Sequence, residues 1–204
     1  EKMEIRVRGA NVTPGYWKRD DLTEAAFDED GFYRIGDAVR FEDPTDPRKG
    51  IVFDGRVSEN FKLSSGTWVF VGGLRTDIVS AAATIIQDVA IAGHDKDALG
   101  ILVFPNVAGC RRLCSSMADD APLADVIASP EVREALGDAL EAYNAEHPGS
   151  STRIARALLM TEPPNIDANE ITDKGYLNQR AVLARRAGLV TKLYSDDPEV
   201  LIIG

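Results

Sequence analysis

The spacing of apolar positions changes along the chain, and each change marks an element. Residues 3–8 alternate, with Met3, Ile5 and Val7 on one side, and predict a strand. "TPGYW" turns the chain, and "DDLTEAAF" predicts a short helix with Asp20 or Asp21 as its cap. "DEDG" then leads into "FYRIGDAVRFE", a second strand. The polar, proline-containing loop "DPTDPRKG" leads into a third, "IVFDG". Residues 1–55 therefore read as β structure with one small helix and little core of their own.

The pattern strengthens after Arg56. "KLSSGTWVFV" predicts a hairpin and "LRTDIVSAAAT" a helix. "IIQDVAIAGH" and "ALGILVFP" are apolar almost throughout, which predicts two strong strands with "DKD" as the turn between them. Residues 106–117 predict a helix. "SPEVREALGDALEAYNAEH" is the clearest helix in the sequence. Ser129 can cap it, Pro130 takes its first position, and apolar residues recur at helical spacing. "RIARALLMTE" predicts a third strand, "PPNIDANEITDKGYLN" a long polar loop, and "QRAVLARRAGLVTKLY" a closing helix. The tail "SDDPEVLIIG" carries no clear pattern. The expected fold class is α+β: a small β-sheet covered by helices over residues 57–204, preceded by a β-rich segment over residues 1–56.

Composition narrows the function. Of 204 residues, 44% are hydrophobic, enough for a real core, and 27% are charged, as in ordinary soluble proteins. The net charge of −10 would on average repel a phosphate backbone, so nucleic acid is a poor partner. Local basic spots can still hold a small anion. No apolar run reaches about 18 residues, so no membrane span is expected. The start, "EKMEIRVRG", is not a signal peptide. It reads as a strand already under way, and the expectation is that the natural chain begins earlier. Cys110 and Cys114 lie four apart on one helix face, without His or Cys neighbours. That makes a poor zinc site, so no metal ligands are assigned. Structural or free thiols fit a reduced, cytoplasmic setting. His94 and His147 have no obvious partner, and no Ser-His-Asp or Cys-His set is visible, which weakens any hydrolase reading.

Four stretches could carry chemistry. In "YRIGD", Asp37 follows Gly36 at a strand end; its carboxylate could accept two hydrogen bonds from a ribose diol, or it is a turn aspartate. In "DGRVSENFK", Arg56 and Lys62 stand six apart near a glycine; they suit an anion, or they are ordinary solvated cations. Their spacing does not match the phosphate loop of nucleotide hydrolases. In "SSGTWV", Ser64, Ser65 and Gly66 let a backbone approach a ligand, and Trp68 could wall a narrow channel; the alternative is a hairpin with a core tryptophan. In "NEITDKGYLNQR", Lys174 stands beside Gly175 in a polar loop; it could neutralise developing negative charge, or simply be solvated.

Taken in order, these pieces resemble a known family. The run "VRGANVTPGYWKRDDLTEAAFDEDGFYRIGDAVRF", then "FDGRVSENFKLSSGTWV", "QDVAIAGHD" and "ITDKGYLNQR" resembles the C-terminal third of the adenylate-forming acyl-CoA synthetases, the AMP-dependent synthetase/ligase superfamily. The likeness covers nearly the whole chain, and the wording is most similar to the feruloyl-CoA synthase branch. It implies an ATP-dependent acid–CoA ligase with ATP, Mg2+ and coenzyme A as cofactors and substrates, acting on a hydroxycinnamic acid such as ferulate. Residues 1–56 would end the large N-terminal adenylation domain, and residues 57–204 would form its mobile lid. Asp37 would hold the ribose hydroxyls, with Arg56 helping from the other side. Lys174 would support adenylation. Ser58 would stand at the hinge. Lys62, Ser64, Ser65, Gly66 and Trp68 would serve thioester formation, with Gly66 leaving room for the pantetheine arm. The sequence departs from the family at three points. The hinge is usually a charged residue, the glycine here follows the late lysine, and "LRTDI" replaces an acidic motif after the hairpin. The resemblance also places the phosphate loop and acid pocket upstream of Glu1. The expected partner is thus the missing N-terminal domain of the same enzyme, and the 204 residues alone are expected to be inactive. Exposed edges admit a homodimer. Two other readings stay open: an adenylation domain of a peptide synthetase, and a non-catalytic α+β binding module.

Overall fold

The structure, a computed structural model, describes residues 3–204, apart from the side chain of Asp54. The chain forms two compact units, Glu1–Asn60 and Phe61–Gly204.

The first unit is a three-stranded antiparallel sheet in the order β1 (Met3–Val7), β2 (Tyr33–Phe41), β3 (Ile51–Arg56). Its core is small, as the pattern predicts: Ala38 and Val39 are its buried apolar residues, while Phe53 on β3 is 63% exposed. Helix α1 (Asp20–Ala26) joins β1 to β2. The expected cap is not formed. Arg19 takes the cap position, and Asp20 and Asp21 lie inside the first turn, where their charge faces the positive helix end. Asp21 instead pairs with Arg19 at 2.7 Å.

The second unit is built on a four-stranded mixed sheet in the order β6 (Ile86–Ala92), β7 (Leu99–Pro105), β8 (Ile154–Leu159), β9 (Leu201–Ile202). β6 and β7 form an antiparallel hairpin, β8 runs parallel to β7, and β9 closes the edge antiparallel to β8. The patternless tail thus contributes a strand. The expected hairpin stands apart as β4 (Phe61–Lys62) and β5 (Trp68–Val69). Helices α2 (Val71–Ala81), α3 (Val107–Leu113), α4 (Leu123–Ala128) and α5 (Pro130–Glu146) follow along the chain, and α4 is too short to have shown in the apolar pattern. In α5, Ser129 Oγ accepts the Val132 N–H at 3.3 Å and Pro130 stands first, as expected.

The strands are apolar almost throughout because both faces are covered. Successive side chains point to opposite faces. Val89, Ile91, Ile101, Val103, Ala157 and Leu159 share a core with Leu74 and Ile78 of α2 and Leu136 and Leu140 of α5. Ala90, Ala92, Leu102, Phe104 and Leu158 share the other core with Val182 and Leu193. Those last two belong to a closing segment that is not one helix. It is α6 (Gln179–Arg185) and α7 (Ala187–Leu193), broken at Arg186 with φ −99° and ψ 30°. The break has a cause: the Arg186 side chain is buried, held by partners away from its own helix.

Candidate functional site

In the first unit, Asp37 of β2 and Arg56 of β3 are direct cross-strand partners, beside a bulge between Asp37 and Val39. Gly36, at φ +80°, turns the strand just before Asp37, a backbone angle that glycine adopts without strain. Arg56 Nη1 lies 3.1 Å from Asp37 Oδ1. That is an ion-pair distance, yet the alignment of a hydrogen bond is missing, and the buried Oδ1 is left without a hydrogen-bond donor. An orphaned buried acceptor costs about 1–3 kcal/mol. Ser58 lies exposed in a single 3-10 turn, Val57–Glu59, two residues short of the division between the units.

In the second unit, Lys62 and Trp68 face each other across the β4–β5 hairpin. The Lys62 ammonium stands 5.0 Å from the indole centroid, a cation–π contact. Trp68 is 51% exposed, so the core-tryptophan alternative is excluded. The turn between the strands is closely tied. Leu63 N–H donates to Thr67 O at 3.0 Å and Gly66 N–H to Leu63 O at 2.9 Å. Ser64 is tied to the β6–β7 turn twice: its N–H donates to Lys96 O at 3.0 Å and its hydroxyl to Asp97 Oδ1 at 2.5 Å. Ser65 donates to Thr67 Oγ1 at 2.9 Å. Gly66 has φ +83°, and a Cβ added there would meet nothing within 4 Å. Its bare flank is open to a ligand, and its angle is what requires glycine.

Lys174 lies exposed near the tip of a small β-like loop. Ile171 bridges Leu177, Thr172 N–H donates to Tyr176 O at 2.8 Å, and Gly175 N–H donates to Thr172 O at 2.9 Å. Among the described residues its ammonium has no hydrogen-bond or ion-pair partner, and is therefore free to meet a charge. The hairpin and this loop hang on different faces of the sheet. Phe61, Leu63 and Val69 of the hairpin enter the first core, and Leu177 at the base of the Lys174 loop enters the second.

Sequence reasoning missed what holds that loop. Glu170 is 0% exposed and Arg186 5%. Arg186 Nε and Nη2 grip the two Glu170 oxygens at 2.8 and 2.9 Å. The remaining guanidinium hydrogens reach Glu162 O at 2.9 Å, Pro163 O at 2.8 Å and Met160 Sδ at 3.5 Å. Glu170 Oε2 also accepts the Asn165 N–H at 2.7 Å. The Arg186 guanidinium holds the Glu170 carboxyl down to about 2. Gln179, at the start of α6, adds a buried tie: its Oε1 accepts the Ile91 N–H of β6 at 2.9 Å. In sequence, Glu170 looks like one more solvated charge of a polar loop, and Arg185 with Arg186 like a basic helix end. Only spatial neighbours distinguish them.

The remaining candidates are structural. Both cysteines are buried; Cys114 Sγ lies 3.0 Å from Ser129 Oγ, and burial pushes the Cys110 thiol up to about 11. His94 does have a partner, the exposed Asp95 at 2.9 Å, and His147 stacks on Tyr143. A cavity of about 700 Å³ runs past Met160, Arg133 and Arg185 and includes none of the residues predicted from sequence. Among the described residues no three His, Cys, Asp or Glu side chains are grouped to hold a metal ion, so they offer no built site for the expected Mg2+. No helix among them is long and apolar enough to cross a membrane.

A mixed sheet covered by helices on both faces, preceded by a small antiparallel sheet with an aspartate on its central strand, is the architecture of the C-terminal portion of adenylation domains. The adenylation domain of carboxylic acid reductase from Segniliparus rugosus, solved with AMP and a co-purified carboxylic acid, is similar at a TM-score of 0.72 and 26% identity, over 95% of this chain and 28% of that one. A family model described as the AMP-binding enzyme C-terminal domain matches residues 71–198, and the chain belongs to that family. In sequence it is 26% identical to the Segniliparus rugosus carboxylic acid reductase over 94% of this chain and 15% of that protein. It is 25% identical to the chloroplastic long-chain-fatty-acid–[acyl-carrier-protein] ligase AEE15 of Arabidopsis thaliana, over 94% of this chain and 25% of that protein. The chain therefore spans a quarter or less of these two curated relatives. Neither is a feruloyl-CoA synthase.

Proposed function

We propose that the chain is the C-terminal part of an ATP-dependent, carboxylic acid-activating enzyme. In the first half-reaction the acid's carboxylate oxygen attacks the α-phosphorus of ATP. The α–β phosphoanhydride bond breaks, and pyrophosphate leaves. In the second, a thiol sulfur attacks the acyl carbon and AMP leaves, giving a thioester. Asp37 holds the ribose hydroxyls, with Arg56 beside it. Lys174 neutralises charge as the adenylate forms, and the Lys62–Trp68 hairpin, with Ser64, Ser65 and bare Gly66, admits the thiol's pantetheine arm. Ser58 lies where the second unit turns. Coenzyme A is the thiol donor in this reading, and the sequence wording favours a hydroxycinnamic acid.

The observation that carries the reading is the placement of an unpartnered lysine and a glycine-flanked hairpin on opposite sheet faces. One orientation of a rigid unit would offer one of them to an adenylate, and rotation would offer the other. The test uses the enzyme that joins this chain to its large adenylation domain. Lys174→Ala should slow adenylation by roughly 10²–10³-fold, the scale of losing one charge-stabilising donor. Thioester formation from supplied acyl-adenylate should be largely spared. Gly66→Leu should do the reverse. Equal effects on both half-reactions would sink the assignment. Offering coenzyme A and a phosphopantetheinylated carrier protein side by side decides the acceptor, since one relative is an acyl-carrier-protein ligase.

A further inference from the structure

Residues 160–178 link β8 to α6 without a helix or strand of their own. Such lengths are uncommon in compact domains unless they serve a site. This one is not loose. Its first leg ends on the Arg186 guanidinium through the carbonyls of Glu162 and Pro163. Its middle is gripped by the same guanidinium through Glu170. Its last leg closes when Asn178 N–H donates to Glu170 O at 2.8 Å, directly below the Ile171 and Leu177 bridge. Arg186 thus fastens two separate places in the loop, Glu162–Pro163 and Glu170, and the subloop bearing Lys174 starts and ends on Glu170. At the α6–α7 break the Arg186 guanidinium points inward. Burying both charges costs several kcal/mol per ion before their attraction offsets it, so stability alone is a weak reason for the arrangement.

We propose that the buried pair of Arg186 and Glu170 is a positioning device that fixes where Lys174 stands. The role rests on the adenylation reading of Lys174 given above. The pair touches no reacting atom. It acts through the backbone of residues 170–178, so that the flexible lysine side chain starts from a fixed base. Lysine could replace the charge of Arg186 but not its fork, which reaches Glu170, Glu162 and Pro163 together.

The experiment is a double-mutant cycle in the intact enzyme with Arg186→Lys and Lys174→Ala. Adenylation is read as pyrophosphate exchange, and thioester formation is read from supplied acyl-adenylate. Arg186→Lys should lower the exchange rate by about 10-fold or more, since misplacement by ~1 Å can cost ~10²-fold. It should leave the thioester step within about twofold and cost nothing further once Lys174 is alanine, because coupled residues are not additive. Equal loss in both half-reactions, or the same loss with and without Lys174, would show a merely structural pair and overturn the proposal. So would unchanged exchange. If Lys174→Ala itself leaves exchange unchanged, the reading of Lys174 fails first, a result distinct from the others. Should Arg186→Lys fold poorly, Glu170→Gln keeps the shape and weakens the grip. Amide exchange must then quicken across residues 170–178 and stay unchanged across residues 61–69; uniform quickening overturns the proposal.

Discussion

The hairpin at residues 61–69 and the loop at residues 160–178 carry similar parts, a lysine and a glycine at positive φ, and are fastened by different physics. The hairpin is held by many weak bonds. Its strands pair with each other, its turn bonds to itself, and Lys62 and Ser64 tie it to the β6–β7 turn. The loop is held chiefly by one buried guanidinium that enters from the helix break beyond it, with Arg185 also 3.3 Å from Glu170. Distributed fastening sums small terms, each worth about 1 kcal/mol or less. Concentrated fastening loads one buried carboxylate, whose loss is large and abrupt.

The largest expected effect breaks the comparison at that pair. Glu170→Leu leaves Arg186 buried without its counter-charge and should cost about 3–5 kcal/mol in urea unfolding. A loss below about 1 kcal/mol would mean that the loop is held by its backbone bonds, as the hairpin is. Acid should act on the same pair. The Glu170 carboxyl is held down to about 2 from its ordinary 4.5, so its contribution is whole above about pH 4.5 and drains as the pH falls toward 2. Stability should fall across that window, and fall less steeply in Glu170→Gln; parallel slopes would contradict it. The smallest effect tests the hairpin. A Cβ on Gly93 would stand 2.9 Å from Leu99 of β7, 3.0 Å from Phe61 and 3.3 Å from Leu63, and Gly93 has positive φ. Gly93→Ala should cost about 1–2 kcal/mol and quicken amide exchange at Leu63 and Gly66, leaving residues 170–178 protected.

The same contrast explains what the sequence could reveal. The hairpin was legible because its signals are local: β-formers on either side of "SSG", with a short turn between them. The strands β6 to β8 and the Ser129 cap were legible for the same reason. Asp37 and Arg56 could be named as candidates, but their opposition across two strands depends on a register that a bulge shifts. Glu170 and Arg186 could not be found at all. Their meaning lies in a contact between residues 16 apart, through a turn that no apolar period predicts. The apolar spacing predicts one continuous closing helix because it runs straight through Arg186. A buried side chain, not a proline or glycine, interrupts it.

The alternation of β6, β7 and β8 between two cores has a last consequence. One sheet acts as a partition, with the strand residues beyond the bulges near Ile86 and Ile154 committed by parity to one tenant or the other. A substitution at Ile91 or Ile101 disturbs the floor beneath the hairpin, while its neighbour Ala90 or Leu102 disturbs the floor beneath the lysine loop. Each side can therefore drift, adapt or be re-engineered with little reference to the other. A one-residue deletion within a strand is the exception, because it exchanges the tenants of every position beyond it.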